Sequence, residues 1–154
     1  MAWNHLYIVP IGELQREITV TAPSLYRVIL YRRLMVRIAE ALTRQEGGQA
    51  LVTGESMGQV ASQTLESLVA IEQAATMPIL RPLIGVDKLE IVEKAQAVVT
   101  YELSLLEAQN CYQFLMPRQV ATRPSLEEVL EAEGYVMMDD LVQQGLAQAR
   151  RLSI

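Results

Sequence analysis

Short apolar runs closed by turn residues alternate along this chain with longer stretches in which apolar positions recur about every 3.6 residues. Leu6-Tyr7-Ile8-Val9 is the first run, and Pro10 and Gly12 close it, which predicts a buried strand. Glu13 to Val20 predicts a short helix or a loop. Ser24, just after Pro23, has N-cap chemistry. In the long helix that follows, Leu25, Val28, Ile29, Met35, Ile38, Ala39 and Leu42 build one apolar face, and Gly47-Gly48 ends it. Ala50-Leu51-Val52-Thr53 predicts a second strand. A helix over Gly58 to Ala75 then carries Val60, Leu65, Leu68, Val69 and Ile71. Met77-Pro78-Ile79-Leu80 predicts a third strand. Asp87 with Glu90, and Ser125 with Glu128, have the spacing of capping boxes. A last helix is predicted over 140–151. Between 100 and 123 no clean period holds, and a stretch of that length without clear elements is often functional.

Strand and helix in alternation imply an α/β fold: a short parallel sheet of three strands with helices on its faces. Ligands of such sheets sit beyond the carboxyl ends of the strands. That rule puts Pro10–Gly12, Thr53–Ser56 and Arg81–Gly85 along one rim. Three short strands make a thin sheet, whose edges need cover or a partner. The expected organisation is a single domain over 1–154: an α/β core over about 1–100, a cysteine-bearing loop region over 101–124, and C-terminal helices over 125–154.

Composition narrows the classes. Hydrophobic residues make up 51% of 154 and charged residues 20%, a balance that supports a core and excludes a disordered chain. No apolar run reaches the roughly 18 residues of a membrane span, and Met1-Ala2-Trp3-Asn4-His5 lacks the pattern of a signal peptide. A lone cysteine, Cys111, rules out a disulfide within the chain, so a cytoplasmic protein is expected. The net charge of −5 argues against broad, non-specific nucleic-acid binding, although Arg27, Arg32, Arg33, Arg37 and Arg44 share one segment.

Four places carry candidate chemistry. Thr53-Gly54-Glu55-Ser56-Met57-Gly58-Gln59 lies between a strand and a helix. Its glycines allow a close backbone approach, and the following helix start suits an anion; equally, it reads as a plain turn capped by Ser56. Arg32 and Arg33 are suited to a phosphate or to a solvated helix face, and Arg81 to a ligand or a rim salt bridge. Cys111 reads as a nucleophile or sulfur carrier, or else as a small buried hydrophobe. His5, with no cysteine or histidine at ligand spacing, reads as structural, and Asp139-Asp140 as a helix cap; no metal site is expected.

Four ordered segments resemble one family. Residues 53–65, Thr53-Gly54-Glu55-Ser56 through Ser62-Gln63-Thr64-Leu65, resemble the strongest motif of the tRNA sulfurtransferases, the 4-thiouridine synthetases also called thiamine biosynthesis protein ThiI. Tyr31-Arg32-Arg33-Leu34-Met35 is similar to its R-R-x-M helix, and Arg81-Pro82-Leu83-Ile84-Gly85-Val86-Asp87-Lys88 to its R-P-L-I-G-x-D-K segment. Thr100-Tyr101-Glu102-Leu103-Ser104 followed by Asn110-Cys111 resembles the run to its essential cysteine. The likeness covers roughly residues 6 to 133.

The resemblance implies part of an adenine-nucleotide α-hydrolase-like, PP-loop pyrophosphatase fold, a Rossmann-like three-layer sandwich. It implies ATP as cofactor, tRNA and a persulfide sulfur donor as partners, and a role in thiazole formation for thiamine. Carried over by position, Arg32, Gly54 and Gln63 contact the nucleotide, and Cys111 is catalytic. The chain departs from the family in lacking the S-G-G-x-D-S pyrophosphate loop, and in having Asn110-Cys111-Tyr112 where many members have Asp-Cys-Cys. These departures imply a catalytic fragment that needs a front-half chain. The alternative is a non-catalytic remnant, a homodimeric or nucleotide-binding interaction module.

Overall fold

The structure, a computed structural model, describes residues 5–57, 63–106, 115 and 117–153. It begins with strand β1 (His5–Ile8) and helix α1 (Gly12–Thr21), so the segment after Pro10 is helix rather than loop. A single 3-10 turn over Ser24–Tyr26 leads into α2 (Arg27–Gln45), the longest helix among the described residues. Neither Pro23 nor Tyr26, at the starts of the turn and of α2, supplies a side-chain cap. The order continues with β2 (Leu51–Val52), α3 (Leu65–Glu72), β3 (Ile79–Leu80), α4 (Lys88–Ala97), the short α5 (Tyr101–Ser104), α6 (Leu126–Glu133), α7 (Met138–Gln148) and β4 (Arg150–Ser153).

Helix α2 is the axis of the core. Its apolar face is wider than one stripe, because Val28, Ile29, Leu30, Tyr31 and Leu34 are all buried, with Ile38 one turn on. Helices α1, α3 and α7 pack around it. Leu14, Ile18, Ile71, Val129 and Leu141 complete the cluster. Each such side chain, fully buried, contributes about 1.5–3 kcal/mol. Gly145 of α7 lets two helices approach closely: a Cβ there would meet Ile38 Cδ1 at 2.6 Å and Leu14 Cδ1 at 3.3 Å.

Side-chain caps fix several helix starts. Ser125 and Glu128 form the expected capping box: the Ser125 N–H donates to Glu128 Oε2 at 2.8 Å, and the Glu128 N–H donates to Ser125 Oγ at 3.2 Å. Asp87 caps α4 by accepting from the N–H groups of Leu89 and Glu90. Thr64 caps α3 by accepting from the Ser67 N–H at 3.2 Å, so α3 starts there; the part of the expected helix over 58–62 lies outside the described residues.

The parallel sheet is narrower than the three strands expected. Among the described residues only β2 and β3 pair in parallel, Leu51 opposite Ile79 and Val52 opposite Leu80. Strand β1 pairs antiparallel with β4, His5 opposite Ser153 and Ile8 opposite Arg150. The segment expected as C-terminal helices therefore ends in a strand: Ala149 turns extended, and the chain beyond it satisfies the backbone groups of β1. Leu51 and Ile79 face inward, while Val52 and Leu80 on the other face are exposed. No helix among the described residues is long and apolar enough to cross a membrane.

Candidate functional site

Two of the three expected rim loops meet. Each follows a strand of the parallel pair, so the pairing itself brings 53–57 beside 81–86. The Thr53 N–H donates to the Leu80 carbonyl at 3.0 Å, and the Met57 N–H to that of Ile84 at 3.0 Å. Ser56 Oγ donates to the Val86 carbonyl at 2.9 Å. Ser56 thus ties the two loops together; the residues just beyond, where it would cap a helix, lie outside the described ones. The third loop, at Pro10–Gly12, follows β1 in the other sheet.

A charge cluster sits at this junction. Glu55 holds Arg32 from α2 through Oε1 and Arg81 through Oε2, the latter at 2.6 Å from Arg81 Nε. Thr53 Oγ1 donates to Glu55 Oε2 at 2.9 Å. The side chains of Arg32, Glu55 and Arg81 are 17%, 8% and 11% exposed, so the cluster is largely out of water. Arg81 Nη1 also reaches Glu72 at 2.7 Å, but that carboxylate is 54% exposed and weakened by solvent. Beside the cluster lies a cavity of about 220 Å³ lined by Arg32, Met35, Glu55, Ile71, Ile79 and Arg81. Arg81 Nη2, a donor beside this cavity, is buried without a hydrogen-bond partner, and Gln63 Oε1, an acceptor, is likewise buried and unpartnered. Buried polar groups normally find partners, and an orphan calls for an explanation such as a ligand or water.

The residues singled out from sequence fare differently. Arg32 and Gly54 come together, because Arg32 pairs with the residue next to Gly54. A Cβ at Gly54 would meet nothing within 4 Å, so packing within the chain does not demand glycine there. Cys111 lies outside the described residues. Arg33 does not sit on a solvated face, as one reading held: it is fully buried and bonded to Glu133, the Ala70 carbonyl and Gln73. Adjacent helix positions point about 100° apart, which is why one arginine serves the core and the other the cavity. Glu55 was missed by sequence reasoning. Its signal was an acidic residue beside a glycine, in a loop flanked along the chain by two candidate arginines. Among the described residues no group of three or more His, Cys, Asp or Glu could hold a metal ion.

The family model for thiamine biosynthesis protein (ThiI) matches residues 2–138. The chain belongs to the ThiI family. A probable tRNA sulfurtransferase of Thermus thermophilus is 51% identical over 148 residues, covering 96% of this chain and 36% of its own length. A relative of the same description from Nocardia farcinica is 45% identical, over 92% of this chain and 34% of its own. In structure this chain is similar to a 4-thiouridine synthetase crystallised with RNA and bound ATP, with TM-score 0.92 and 41% identity, covering 97% of this chain and 39% of that one. The expected α/β fold holds. The chain spans little more than a third of the length of the relatives it matches.

Proposed function

We propose that this chain is part of the catalytic domain of a tRNA sulfurtransferase, which uses ATP to form 4-thiouridine in tRNA and serves sulfur transfer for the thiamine thiazole. The observation that carries this reading is the junction of Arg32, Glu55 and Arg81, with Gly54 next in the chain, beside a cavity of about 220 Å³, inside a fold similar to that of an ATP-bound 4-thiouridine synthetase. The residues fit an adenine nucleotide. Guanidinium groups at a loop following a strand suit a phosphate. The open face of Gly54 allows backbone approach. The unpartnered Gln63 Oε1 is an acceptor of the kind that an amino group of a base would satisfy.

ATP supplies the activating group for a uridine carbonyl oxygen, and AMP leaves when sulfur replaces that oxygen. In this division of labour Arg32, Gly54 and Gln63 hold the nucleotide. Cys111, as a thiolate, pairs with the sulfur-carrying cysteine of the donor, so that the persulfide sulfur is released toward the activated carbon. The reading includes a partner for the exposed sheet face: Val52 and Leu80, 68% and 55% exposed, are apolar residues that a preceding segment of the catalytic domain would cover. That segment carries the S-G-G-x-D-S loop, and the chain without it is not self-sufficient for adenylation.

Complementation tests the proposal. A strain lacking 4-thiouridine in its tRNA receives this chain with, and without, the front portion of a ThiI catalytic region. Mass spectrometry of tRNA nucleosides should find 4-thiouridine only with both parts present. Its absence in both strains, with both polypeptides soluble, would overturn the reading.

A further inference from the structure

We propose that Glu55 is the positioning residue of this site: its carboxylate holds Arg32 and Arg81 in the arrangement that receives the phosphate of an adenine nucleotide. The inference rests on the proposed function and deepens it. Glu55 engages the two arginines through different oxygens, Oε1 for Arg32 and Oε2 for Arg81 at 2.6 Å, so one side chain sets the relation between two guanidinium groups that belong to different elements. Thr53 Oγ1, donating at 2.9 Å, fixes the rotamer of the carboxylate in turn.

Three physical arguments favour this role over a salt bridge of structural value alone. First, two guanidinium groups brought side by side repel. A carboxylate between them offsets that repulsion and fixes both to one point, although each arginine comes from a different element. Second, the junction keeps a spare donor. Arg81 lines the cavity, spends Nε on Glu55 and Nη1 on Glu72, and has a buried Nη2 without an acceptor. Third, a long arginine side chain carries substantial rotamer entropy. Glu55 removes much of that freedom before a ligand arrives, so binding costs less.

NMR of the arginine Nε–H groups and backbone amides of the folded chain, titrated to millimolar concentration with AMP and with adenosine, tests the proposal. The wild-type signals of Arg32 and Arg81 should shift with AMP. Glu55→Gln should weaken AMP about ten-fold while leaving adenosine within about two-fold, because the lost arrangement concerns the phosphate alone. Thr53→Val, a milder change that keeps the charge, should weaken AMP about two- to three-fold, and keeps the question open to measurement if Glu55→Gln unfolds. Unchanged AMP affinity in folded variants would overturn the positioning role and leave the proposed function standing. Equal loss of AMP and adenosine would reduce Glu55 to a structural residue. No AMP shift in the wild type would remove the phosphate role of Arg32 and Arg81, and the positioning role of Glu55 with it, while complementation decides the proposed function separately.

Discussion

Arg33 Nε donates to Glu133 Oε2 at 2.5 Å, across 100 positions of sequence. The same guanidinium donates to the Ala70 carbonyl and, from Nη2, to Gln73 Oε1 at 3.0 Å, so one buried side chain joins α2, α3 and α6. Burial would raise the Glu133 carboxyl, but hydrogen bonds from Arg33 and Arg37 outweigh it and hold it below the ordinary range. Replacing Arg33 with methionine removes the charge while keeping an unbranched stem, and leaves the Ala70 carbonyl and Gln73 without their donor. Arg33→Met should cost about 3–5 kcal/mol in urea unfolding. A loss under about 1 kcal/mol would mean that the neighbours repack around an apolar chain.

Glu40 ties the turn before β3 to α2. Its Oε2 accepts from the Thr76 backbone N–H at 2.8 Å, and its Oε1 accepts from the Thr76 hydroxyl and from Arg44 at 2.7 Å. Burial alone would raise its pKa; the Thr76 and Arg44 hydrogen bonds reverse that and hold it at about 2, against an ordinary 4.5. A depressed carboxylate stabilises the fold above its unfolded value and loses that contribution as pH falls through the folded one. Stability from this group should therefore be complete above about pH 4.5 and fade toward about pH 2. Glu40→Gln should cost about 1–2 kcal/mol at neutral pH and flatten the decline between pH 4.5 and 2 in a urea series. A variant with the wild-type acid profile would assign the decline to other carboxylates.

The local signals and the pairing partners were unequally legible in the sequence. The Ser125–Glu128 capping box and the apolar period of α2 depend on residues three or four apart, and both were readable. What β1 pairs with depends on residues about 145 positions away. Nothing in Leu6-Tyr7-Ile8-Val9 distinguishes a parallel partner from the antiparallel strand Arg150–Ser153 that it meets. The same limit applied at the site. Arg32 and Gly54 carried a motif, whereas Glu55 gained its meaning only when the loops after β2 and β3 met and Arg81 arrived beside it. Arg33, one position from Arg32, is chemically identical in sequence, and only the packing of α3 and α6 against α2 tells their roles apart.

Gly145 separates two opposing effects. Glycine within a helix costs about 1 kcal/mol relative to alanine, so on propensity alone alanine would stabilise α7. The new Cβ, however, would stand 2.6 Å from Ile38 Cδ1 and 3.3 Å from Leu14 Cδ1, both side chains in the closed core. Overpacking of this kind costs about 1–3 kcal/mol. Gly145→Ala should be destabilising by up to about 2 kcal/mol. Truncating the neighbour as well, in Gly145→Ala with Ile38→Val, should recover part of the loss. Thermal unfolding of the two variants decides it: a single variant more stable than wild type would show that Ile38 moves aside freely.

Cys111 gives the prediction that separates nucleotide binding from sulfur chemistry. Thiolate, not thiol, attacks or accepts sulfur, and serine at the same position keeps the size while losing nearly all nucleophilicity at neutral pH. If the cysteine handles the donor's sulfur, Cys111→Ser should lower 4-thiouridine in the complemented strain by about a hundredfold or more. The chain's response to AMP should stay within about two-fold, because the groups proposed for the phosphate, Arg32 and Arg81, lie in α2 and after β3. The wild-type thiol should also react with an alkylating probe at neutral pH faster than a free cysteine. Slow labelling together with retained 4-thiouridine would return Cys111 to the role of a small buried hydrophobe.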